Sequence, residues 1–72
     1  MTVEAANEIL VDMFTEKIKE FATAAYVKNH VLHIACLSSV AAQELKLREH
    51  EIIDATNKKM KFNAIKKIKY LS

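Results

Sequence analysis

In all seventy-two residues there is no glycine and no proline, so every turn must be built from residues that carry both a Cβ and an amide hydrogen. That rules out a Gly-rich phosphate loop, a flexible Gly/Ser linker and a proline-rich ligand segment. Turns are left to Asn, Ser, Thr and changes of hydrophobic period. A chain of this length has room for one packed core, and residues 1–72 read as a single domain.

From Val3 to about Ala24 the apolar residues Val3, Ala6, Leu10, Met13, Phe14, Ile18, Phe21 and Ala22 recur at steps of three and four, which predicts an amphipathic helix. Glu4, Glu8, Asp12, Glu16 and Glu20 give its other side an acidic stripe, most simply a solvated face and otherwise a docking face for a basic partner. Ala25 to Lys28 and Val31 to Leu37 are rich in β-branched and aromatic residues, and Asn29-His30 between them predicts a hairpin. Asn tolerates the left-handed backbone of a two-residue turn, although His suits the second position less well than Gly. In the second strand Leu32, Ile34 and Cys36 are expected inward, with Val31, His33 and Ala35 on the other face.

Ser38 or Ser39 can cap a second helix running without a breaker to about Met60, with Ala41, Ala42, Leu45, Ile52, Ile53, Thr56 and Met60 toward the sheet. Asn63 to Leu71 predicts a third strand in which Ile68 and Tyr70 share a face. Ile65 falls on the opposite one, so either a bulge intervenes or Ile65 lies at the mouth of the strand. The expected fold is α+β, in the order αββαβ: two layers, with a three-stranded sheet and both helices on one face.

Charge is segregated along the chain. Lys58, Lys59, Lys61, Lys66, Lys67 and Lys69 are six of the eleven basic residues and lie in the last fifteen positions without an acid, whereas residues 1–56 hold all nine acids and five bases. One reading is a strand edge and helix end kept soluble by lysine. The other is a patch that tracks phosphates, with Tyr70 or Tyr26 available to stack on a base. Val40 and Leu47, seven residues apart on the polar side of the second helix, are either scattered exposed hydrophobes or a contact for a partner or a second copy. Glu44 and Arg48 have the spacing of a surface ion pair. So short a domain buries a modest share of its surface, and a dimer or bound partner is expected to add stability.

No reactive constellation can be assembled from the remaining residues. His30, His33 and His50 lack ligand spacing, and Cys36 and His33 point to opposite faces of one strand, which leaves Cys36 as a core residue. We expect no catalysis, metal or cofactor. No apolar run approaches the ~18 residues of a membrane span, Met1 to Glu8 lacks the pattern of a signal peptide, and a single cysteine cannot build a disulfide framework. These features point to the cytoplasm.

The run YVKNHVLHIACLSSVAAQELKLREHEIIDATNKK from Tyr26, followed by AIKKIKYL, resembles the DciA family over roughly residues 8 to 71. The resemblance rests best on Tyr26, Lys28, Asn29, Leu32, Ser38, Ser39, Glu44, Leu45, Arg48, Asn57, Ile65 and Ile68. Where the family usually has a Trp and a Val-Gly in the first helix, this chain has residues near Leu10 and the pair Phe14-Thr15. The resemblance implies a fold like type II KH domains, binding of single-stranded or structured DNA, or of RNA, and for some members a role in loading the replicative helicase DnaB. The G-x-x-G clamp of KH domains has no counterpart in a chain without glycine, so nucleic acid must use another surface. The alternative is a protein-interaction or homodimerisation module that binds no nucleic acid.

Overall fold

The computed structural model describes residues 1–71. It contains α1 (Thr2–Phe14), a 3-10 turn (Glu16–Glu20), β1 (Ala22–Lys28), β2 (Val31–Cys36), α2 (Ser39–Leu47), α3 (Glu49–Met60) and β3 (Lys67–Leu71). The strands form one sheet in the order β1-β2-β3, with β1 antiparallel and β3 parallel to β2. A parallel neighbour requires a crossover, and α2 and α3 supply it. Ala6 and Leu10 of α1, Leu45 of α2, Ile52 of α3 and the inward strand residues Leu32, Ile34 and Cys36 close one core between helices and sheet. The expected α+β class and three-stranded sheet are therefore present.

The first helix is shorter than its apolar period predicts. It stops at Phe14, where Thr15 takes φ 128 and ψ 169, a region that suits almost only glycine. The 3-10 turn that follows keeps a step of three, so Ile18 still packs against the core and the pattern runs past the end of the helix. Ala22 and Ala24 belong to β1, where they are buried near α1, and the Asn7 amide joins the two elements: its Oδ1 accepts from the Ala24 N–H at 2.9 Å and its Nδ2 donates to the Ala24 carbonyl at 3.4 Å.

The predicted second helix is divided at Arg48, which sits at φ −114 and ψ 24 between α2 and α3. Its Nε and Nη2 donate to Glu51 at 2.9 and 2.8 Å, its Nη1 donates to the Met13 carbonyl at 3.2 Å, and its guanidinium lies 5.1 Å from the centre of the Phe14 ring. Arg48 is thus paired with Glu51 rather than with the expected Glu44. It also satisfies one of the carbonyls left open at the end of α1. Ser38 caps α2 as expected, its Oγ accepting from the Ala41 N–H at 3.3 Å.

Asn29 and His30 both adopt positive φ, 52 and 65, in the two-residue hairpin turn. His30 also fastens the turn to the segment before β3, its Nδ1 donating to the Ala64 carbonyl at 3.2 Å and its own carbonyl accepting from the Lys66 N–H at 2.7 Å. Ile65 is fully buried ahead of β3, so it lies at the mouth of the strand. The Asn57 amide holds it there, with Oδ1 accepting from the Ile65 N–H at 2.9 Å and Nδ2 donating to the Ile65 carbonyl at 2.8 Å.

Candidate nucleic-acid interface

All helices lie over one face of the sheet, and the strand register sorts the residues of the two faces into rows. Val27, Leu32 and Ile68 form one inward row, and Ala24, Ile34 and Tyr70 the next. On the other face the rows are Lys28–Val31–Lys67, then Tyr26–His33–Lys69, then Thr23–Ala35–Leu71. Tyr26 reaches this face because of an irregularity between Ala24 and Tyr26, where one extra residue in β1 reverses the alternation. Without it the tyrosine would point toward the helices.

Three lysines thus share the open face with one aromatic pair. The rings of Tyr26 and His33 stack with centroids 4.2 Å apart and planes 11° from parallel. His33 is nearly buried and its Nδ1 donates to the Val31 carbonyl at 3.1 Å, while Tyr26 keeps 45% of its surface exposed. Lys28, Lys67 and Lys69 are exposed, and none of the three strands contains an Asp or a Glu.

The remaining sequence-predicted lysines divide. Lys66, just before β3, and Lys58 and Lys61, at the end of α3, are exposed and have no carboxylate partner among the described residues. Parallel pairing puts the start of β3 beside the hairpin turn, so Lys66 and Lys67 lie at the same end of the sheet as Lys28. Lys61 ends α3 in a left-handed conformation, φ 68. Lys59 differs, because its Nζ lies 2.7 Å from Glu8 of α1. That hydrogen bond, with the charge behind it, holds the Glu8 carboxyl below its ordinary range and the Lys59 ammonium above its own.

Tyr70 faces the helices. Its hydroxyl donates to Glu49 at 2.8 Å, and burial, reinforced by that bond, raises its pKa well above the usual tyrosine value. The aromatic ring presented beside the lysines is therefore Tyr26, with Tyr70 on the opposite side of β3. The sequence set Val31, His33 and Ala35 on one face and counted Lys67 and Lys69 in the lysine cluster, but the bulge in β1 left no signal that would add Tyr26 and Lys28 to them.

Val40 and Leu47 are exposed on α2, at 66% and 81%. Val40 also borders an apolar groove of ≈ 330 Å³ between the end of α1 and the start of α2, lined by Phe14, Ile18, Phe21 and Ala41. Among the described residues no three His, Cys, Asp or Glu side chains gather as a metal site, and no helix is long and apolar enough to cross a membrane.

Helices on one face of a mixed three-stranded sheet, in the order αββααβ, define a small two-layer α+β domain with one sheet face left open. The family model described as "Dna[CI] antecedent, DciA" matches residues 2–70, nearly the whole chain. The chain belongs to the DciA family. No curated protein matches it closely.

Proposed function

We propose that this member of the DciA family is a non-enzymatic nucleic-acid-binding domain that works in the cytoplasm beside the replicative helicase. The observation that carries the reading is the set of lysines that have no carboxylate partner among the described residues, Lys58, Lys61, Lys66, Lys67 and Lys69, exposed along the path from the end of α3 into β3. Lys59, held by Glu8, adds less. Such a surface attracts a polyanion with little regard to sequence, at a dissociation constant of about 10⁻⁴ to 10⁻⁶ M at physiological salt. Family membership supplies the link to replication. The test is retention of a labelled oligonucleotide in low salt by wild type and by the double variant Lys66→Glu, Lys69→Glu. We expect wild type to bind and the variant to lose binding; equal retention by both overturns the reading.

The exposed side of α2 favours a second contact, with protein. Val40 and Leu47 lie seven residues apart on that helix, and Val40 borders the apolar groove. The helicase is the partner that family membership favours, and a second copy of the chain is the alternative. Leu47→Asp should abolish association in sedimentation while leaving helicity and oligonucleotide binding intact. Unchanged association would remove Leu47 from any interface.

A further inference from the structure

We propose that the Tyr26–His33 pair on the open sheet face is a stacking platform for an unpaired base, so that the domain prefers single-stranded nucleic acid to duplex; this rests on the nucleic-acid reading above. One face of the Tyr26 ring lies on the His33 imidazole, 4.2 Å away and nearly parallel. His33 is itself fixed, nearly buried and bonded through Nδ1 to the Val31 carbonyl. The tyrosine is thereby held upright on an edge strand with almost half its surface still exposed, and among the described residues no further strand pairs with β1. A ring ordered in advance loses little freedom when a base settles on it.

The surrounding charge selects the occupant. Lys69 ends the row that contains Tyr26 and His33, and Lys28 and Lys67 flank Val31 in the neighbouring row. With strands about 4.8 Å apart and two residues spanning about 6.6 Å, these lysine positions lie around the pair on the scale of a single nucleotide. The strands carry no acid to repel a phosphate. In a duplex the faces of the bases are already stacked on one another, so only a strand with unpaired bases can use the ring.

The test compares wild type, Tyr26→Ala, Tyr26→Phe and the double variant Lys67→Glu, Lys69→Glu by fluorescence anisotropy. The probes are short labelled single-stranded DNA, single-stranded RNA and duplex DNA, and far-UV circular dichroism checks each fold. We expect Tyr26→Ala to weaken binding of one or both single strands by roughly 5- to 150-fold, leave the duplex unaffected, and Tyr26→Phe to bind as wild type. The two single-stranded arms reveal which sugar the site accepts. Single strands should also quench part of the tyrosine emission in wild type and none in Tyr26→Phe, where Tyr70 is the remaining emitter; the chain has no tryptophan to mask the difference. If Tyr26→Ala binds single strands as well as wild type does while the lysine variant fails, the platform is overturned and the phosphate surface stands. Equal weakening for single strands and duplex also overturns the platform. If wild type binds no probe, the broader reading falls as well.

Discussion

Asn57 is the side chain on which the approach to β3 depends, and replacing it should cost the domain a large part of its stability. Its amide makes two bonds to the backbone of fully buried Ile65, and no other backbone group bonds to that N–H among the described residues. In Asn57→Ala both Ile65 groups lose their partner in a part-buried setting. An unsatisfied buried polar group costs about 1–3 kcal/mol, and with some water entering the gap the pair should cost roughly 2–4 kcal/mol. For 72 residues a total stability of about 4–11 kcal/mol is ordinary, so the loss lowers the melting temperature by roughly 10–30 °C. Urea unfolding followed by circular dichroism, at several protein concentrations to separate out association, measures it. Asn7→Ala is the internal comparison and should lose less, because one of its two bonds to Ala24 is long at 3.4 Å. If Asn57→Ala stays within about 0.5 kcal/mol of wild type, the range of an ordinary surface substitution, the argument for this clamp is wrong.

Three further outcomes follow from the same structure. Thr15→Gly should stabilise the domain by about 1 kcal/mol, since relief of about 1–3 kcal/mol of backbone strain exceeds the added chain entropy; a lower melting temperature would contradict this. Thr56→Val should raise stability by about 1–2 kcal/mol in urea unfolding, because the Thr56 hydroxyl is buried without a partner among the described residues; destabilisation would mean that the hydroxyl is bonded. Tyr70 has a folded-state pKa raised above that of the unfolded chain, so unfolding becomes easier only as pH climbs past about 10, where the unfolded state loses its phenolic proton first. In Tyr70→Phe this alkaline loss should be smaller than in wild type, and identical alkaline limbs in the two proteins would refute it.

The hairpin was readable because each of its signals is local: β-branched residues in alternation, an Asn at the turn, and Leu32, Ile34 and Cys36 every second position, all of which the structure buries. The Ser38 cap was readable for the same reason. The breaks were not. Phe14–Thr15 and Leu47–Arg48 carry neither Gly nor Pro, and a long-range contact joins the two places: Arg48 bonds the Met13 carbonyl and lies over Phe14. Thr15 places a β-branched residue on a glycine-like backbone, so no glycine in the sequence marks the end of the helix. Of the candidate surface, the clustering of lysines was visible as a count. Which of them lacks a counter-ion depends on Glu8 reaching Lys59 from a helix about fifty positions away in sequence, and the exposure of Tyr26 depends on a single bulge.

The account stands or falls on the lysines acting together on phosphates, and the salt dependence of single-strand binding reports that directly. About four neutralised phosphates predict a slope of roughly −3 for log K against log salt concentration. In Lys66→Ala, Lys69→Ala, which removes two contacts without reversing their charge, the slope should become shallower by about 1.4. A wild-type slope near zero, or one that the double substitution leaves unchanged, would contradict it.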